Sequence, residues 1–123
     1  MPPRLDRDAV EAIVAATGEP GWLAERRTAA FDLFEKLDMP DPKREEWRYT
    51  DVRGFDFELY AAPEAAKRSL DLPPELAAKG VVFTDLVNAD PELVREHFFT
   101  EVPLDEHRFT ALHGAFHSDD VIA

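Results

Sequence analysis

Apolar positions fall into short periodic runs that prolines and glycines punctuate, and each run predicts an element. Val10, Ile13 and Val14 lie on one face of a helix over about residues 8 to 17. Asp8 and Glu11 have capping-box spacing at its start, and Gly18 follows its end. Pro20 suits the first position of a second helix. There Leu23, Ala30, Phe31, Phe34 and Leu37 recur at the 3.6-residue period, with Glu25, Asp32 and Glu35 opposite. Pro40 and Pro42 stop that helix near Leu37, because each removes a backbone donor and clashes with a continuing turn.

Beyond the prolines the pattern changes. From Lys43 to Tyr60 charged, aromatic and β-branched residues mix, and Phe55, Phe57 and Leu59 alternate. A short helical turn at Glu45-Glu46 followed by an extended segment is expected. Residues 62 to 79 predict one or two brief helices broken at Pro73-Pro74, with Gly80 as a cap before a strand at Val81-Val82-Phe83. Asp90-Pro91-Glu92 opens another helix reaching about Phe98. Asp105 is the expected cap of a last one, with Phe109, Leu112 and Phe116 on one face. Val121-Ile122 reads as a strand start whose partner lies either within the chain or in a missing continuation. The pattern as a whole predicts a mostly α, α+β domain with one or two short strands. In it two antiparallel helices come first, then an aromatic extended segment, then a strand and two further helices.

Length and composition sharpen that picture. A chain of 123 residues, 45% apolar with nine Phe and two Trp, sustains one modest core. No apolar run reaches spanning length, and the charged start MPPRLDRDAVEA is unlike an export signal, so a cytoplasmic location is expected. Without cysteine the chain forms no disulfide, thiolate zinc site or Cys-ligated cluster. Its 26 acidic against 14 basic residues give a net charge of −12, which repels nucleic acid and acidic membranes.

Candidate chemistry is sparse. His113 and His117 are spaced i, i+4, close enough to share a metal ion, with His107 one and a half turns earlier and Asp119 and Asp120 nearby. A structural histidine beside Phe109 and Phe116 is the commoner outcome of such a placement. The carboxylates at Glu45-Glu46 and from Glu101 to Glu106 read as solvated faces rather than an acid–base pair. The chain has no glycine-rich phosphate loop, no HExxH and no nucleophile elbow, so it is read as a non-enzyme without a cofactor. The most distinctive local group is Trp47-Arg48-Tyr49, with Thr50 and Asp51 beside it. Trp, Tyr and Arg are frequent interface anchors, although a small domain first spends its aromatic residues on its core.

Two stretches carry a resemblance. Glu19-Pro20-Gly21-Trp22-Leu23, through Arg27, Ala30, Phe31 and Phe34-Glu35-Lys36-Leu37 to Pro40 and Glu45-Glu46-Trp47-Arg48-Tyr49-Thr50-Asp51, resembles the opening of SufB/SufD-family proteins. The EEWRYT element makes it SufD-like. Gly80-Val81-Val82-Phe83-Thr84-Asp85-Leu86, followed by Phe109-Thr110-Ala111-Leu112-His113-Gly114-Ala115-Phe116, is similar to that family's lead-in to its main domain, with His113 where Asn is frequent.

The resemblance implies a scaffold for iron–sulfur cluster assembly. Such a scaffold pairs with SufB-like and SufC-like proteins, and its parallel β-helix and cluster-building residues lie beyond this stretch. Residues 1–118 then form the N-terminal domain, and 119–123 begin the β-helix. Trp47, Arg48 and Tyr49 are the expected partner contacts, and the oligomeric state of the fragment is left open. The rival expectations are a small metal-dependent enzyme using His107, His113 and His117, and a free-standing acidic adaptor.

Overall fold

A computed structural model describes residues 4–63, 70–118 and 120–122. Helix α1 spans Arg7–Thr17 and α2 spans Gly21–Lys36. After a long irregular segment come α3 at Pro74–Ala78, β1 at Thr84–Asp85, α4 at Pro91–His97, α5 at Arg108–Phe116 and β2 at Val121–Ile122. The domain is mostly helical with a minimal two-stranded sheet, as the periodicity predicts.

Local chemistry explains the element ends, sometimes through residues other than the expected ones. Asp6, not Asp8, caps α1: its carboxylate accepts from the amide of Ala9 at 2.9 Å, two residues earlier than the expected box. Gly18 ends α1 in the left-handed conformation (φ 61), which glycine adopts without steric penalty. Pro20 precedes α2 rather than opening it, and its carbonyl accepts from Leu23 and Ala24. At α5 the cap is His107, not Asp105. Its Nδ1 accepts from the Thr110 amide at 3.2 Å, while the Thr110 hydroxyl accepts from the His107 amide at 3.1 Å. A ring nitrogen thus takes the place of the usual carboxylate or hydroxyl.

The main core lies among α1, α2 and α5, where Val10, Ile13, Ala30, Phe31, Phe34, Ala111, Ala115 and Phe116 are buried. Although α1 touches α2, the most extensive packing of α2 is against α5. That approach requires a small residue: a Cβ at Gly114 would stand 2.3 Å from Leu104 Cδ2 and 2.9 Å from the Ala30 Cβ. The inward face of α5 is therefore built on Ala111, Gly114 and Ala115 with Phe116, whereas Phe109 and Leu112 remain partly exposed. A second cluster joins Leu23 at the start of α2 to Leu86, Ala89 and Val94, with Trp22 and Phe98 packed on it.

Neither the extended run expected through Phe55, Phe57 and Leu59 nor the strand expected at Val81-Val82-Phe83 forms. Residues 55 to 59 make a 3₁₀ turn at Phe57–Leu59, because the Asp56 carboxylate accepts from the Glu58 amide at 3.0 Å and holds the turn closed. Val81-Val82-Phe83 is unpaired. Instead, Thr84–Asp85 pairs antiparallel with Val121–Ile122, in the register Thr84 to Ile122 and Asp85 to Val121. The pairing β2 needs is thus present within the chain. Gly80 has φ 88 and closes α3 as anticipated, while part of the helix expected between 62 and 79 falls on residues 64–69, outside the described residues. Among the described residues no helix is long and apolar enough to cross a membrane.

Candidate interaction segment and a buried arginine clamp

The expected contact residues lie on a 3₁₀ turn at Glu45–Trp47 and in the bend that follows it. The three side chains differ in role. Trp47 is half-buried: its ring meets the His107 ring edge-on at 5.2 Å and lies along Phe109 at 6.1 Å, which fastens the segment to the start of α5. Tyr49 is 87% exposed, and the Arg48 guanidinium lies over its ring at 4.8 Å. Trp47 is therefore an anchor to the domain, while Arg48 and Tyr49 face solvent as a paired cation and ring.

Further along, Arg53 grips Asp51 in a two-point contact at 2.9 and 2.7 Å. Hydrogen bonds from the Arg53 side chain, and then from its amide, hold the Asp51 carboxyl down at about 2. Phe55 stacks nearly parallel on Tyr60 at 5.0 Å and meets Phe109 edge-on at 5.4 Å. Phe57 meets Phe34 edge-on at 4.9 Å. Aromatic contacts rather than a sheet ladder thus seat the segment, leaving Leu59 and Tyr60 exposed.

The histidines do not converge. His107 is spent on the cap of α5, and His113 is exposed beside the Phe99 ring at 5.6 Å. His117 is buried, its Nδ1 2.5 Å from Asp120 Oδ2, and its ring lies 6.3 Å from that of His113. Among the described residues no group of three His, Asp or Glu side chains is placed to hold a metal ion. Among the described residues His107 serves as a cap, His113 as a surface ring and His117 in a buried hydrogen bond, where the rival reading had the three share a metal ion. Asp119 lies outside the described residues.

The most elaborate polar arrangement is one the periodicity passed over. Arg27 is 2% exposed in the middle of the apolar face of α2. Its Nε and Nη2 donate to the two oxygens of buried Glu19 at 2.9 and 2.8 Å. Its Nη1 donates to the carbonyls of Ala115 and His117, at 3.0 and 2.7 Å. One guanidinium thereby joins the α1–α2 linker to two carbonyls at the end of α5. The link continues, because Asp120, held by the His117 ring, gives its carbonyl to the amide of Leu86 beside β1. The available signal was positional: Arg27 falls between Leu23 and Ala30 on an apolar stripe, where a charge is buried only with a partner, and Glu19 is eight residues earlier.

No family model matches the chain. It is similar to the iron-sulfur cluster assembly protein SufD of Bacillus subtilis, with 29% identity over 90% of this chain and 33% of that protein. An iron-sulfur cluster assembly SufBD family protein of Staphylococcus haemolyticus shows 26% identity over 90% of this chain and 32% of its own length. A SufBD family protein of Staphylococcus epidermidis shows 27% over 91% and 33%. The chain spans about a third of the length of the curated relatives it matches. The resemblance read from the EPGWL and EEWRYT stretches thus corresponds to curated homologues carrying the SufD and SufBD family names.

Proposed function

We propose that this chain is an interaction and positioning module of a SufD-like scaffold in iron–sulfur cluster assembly, working through SufB-like and SufC-like partners rather than by catalysis of its own. The observation that carries this reading is the likeness, over nine-tenths of the chain, to proteins named for that assembly. In this reading residues 1–118 are the N-terminal domain, and 119–123 lead into a β-helix in the longer protein. Arg48 and Tyr49 are the contact residues, held outward by Trp47. The absence of cysteine is in keeping with a module that positions a cluster-building partner and contributes no thiolate ligand.

The test is co-purification of the longer gene product with SufB-like and SufC-like proteins from the same organism, with and without residues 1–100. Loss or marked weakening of association on deletion is the expected result. Full association and full cluster-assembly activity without those residues would refute the module's role.

A further inference from the structure

Between α1 and α2 lies an open groove of about 540 Å³. Here α2 packs less extensively against α1 than against α5. Its floor is apolar, made by Val14 and Ala15 of α1 and Ala24 and Ala29 of α2, with the core residue Val10 beneath. Thr28 completes it, with its hydroxyl spent on the Ala24 carbonyl at 3.0 Å. The rim is acidic on both sides, with Glu11 on α1 and Glu25 and Asp32 on α2. Asp32 is ion-paired with Arg7, whereas Glu11 and Glu25 make no ion pair among the described residues. Among the described residues no lysine or arginine lines the groove.

An apolar strip flanked by carboxylates on two helices specifies its occupant by complementarity. A helix that buries an apolar stripe and carries Lys or Arg on either side would fill the floor and meet both rims. The lining runs from Ala24 to Asp32 along α2, about 12 Å, enough to seat about two turns of such a helix. A second copy of this chain is a poor occupant, since each copy brings a net charge of −12, and nucleic acid is repelled by the same field. We propose that the α1–α2 groove docks a cationic amphipathic helix of a partner protein. This surface is separate from Arg48 and Tyr49 and stands whether or not the assembly reading holds.

The probe is a fluorescently labelled Leu/Lys amphipathic peptide of about five helical turns, titrated with the chain and followed by anisotropy at low and physiological ionic strength. Saturable one-to-one binding is expected, weakening as salt rises. The double variant Glu11→Lys/Glu25→Lys should lose about tenfold or more in affinity. The variant Glu96→Lys/Glu101→Lys, which changes net charge equally at two exposed sites elsewhere, should lose less than about threefold. Val14→Asp adds negative charge yet spoils the floor, and it should also weaken binding. Circular dichroism checks that each variant keeps its helices. The proposal is overturned by non-saturable binding, by equal losses in the two double variants, or by concentration-dependent self-association that Val14→Asp abolishes.

Discussion

The α2–α5 junction and the segment from Glu45 to Tyr60 use similar residue types to opposite ends. At the junction a charged residue is taken out of water and each of its three guanidinium nitrogens finds an acceptor. Glu19 and two carbonyls absorb Arg27, and Gly114 lets the helices close. In the segment, charges and rings are left in water: Arg48 covers Tyr49 instead of being covered by it, and Arg53 holds Asp51 at the surface. The first arrangement tolerates little alteration, because its polar groups have no solvent to fall back on. The second tolerates much, because its polar groups stay in contact with water.

That contrast is broken most directly at the clamp. Arg27→Ala leaves Glu19 as an uncompensated buried charge and strips two carbonyls, so it should destabilise the fold by about 3–5 kcal/mol in urea denaturation. Glu19→Gln should cost less, since the carbonyl contacts of Arg27 survive. A loss under about 1 kcal/mol for Arg27→Ala would mean that the junction does not depend on its ion pair. Next is Gly114→Val, whose branched side chain collides with Leu104 and Ala30; overpacking of this kind should cost about 1–3 kcal/mol in the same assay.

The segment should respond on a smaller scale. Tyr49→Ala removes a ring that is almost wholly in solvent and should change stability by less than about 0.5 kcal/mol. Trp47→Ala, by contrast, releases the anchor on His107 and Phe109 and should be measurably destabilising. The smallest effect is the titration of Asp51. Its folded-state value is lowered to about 2 from an ordinary 3.8, so the ionised carboxylate favours the folded turn. That contribution is fully present above about pH 4 and fades as pH falls through 2. Carboxyl chemical shifts should give a midpoint near 2 that returns toward 3.8 in Arg53→Ala.

Much of the scaffold was legible in the chain. The α2 stripe, the proline stops after Leu37, the Asp90 cap and the turn at Gly80 follow from local rules that tertiary packing left intact. What failed needed non-local information. The Phe55, Phe57 and Leu59 alternation resembles a strand, yet with no partner strand among the described residues the rings settled on Phe34 and Phe109, and Asp56 closed a turn. Val81 to Phe83 has strand propensity, but pairing begins only at Thr84, where Ile122 lies opposite. The three histidines share a sequence neighbourhood but have separate tasks. Arg27 and Glu19 were visible as residues, but their pairing depends on α5 returning beneath α2, which no local spacing encodes.

We propose that the surface of the EEWRYT bend serves recognition rather than folding. The decisive measurement is pull-down of SufB-like and SufC-like proteins with the longer gene product carrying Arg48→Ala/Tyr49→Ala. Weakened association with an unchanged urea midpoint is the predicted result. Undiminished association, or a loss that merely follows destabilisation, would contradict it.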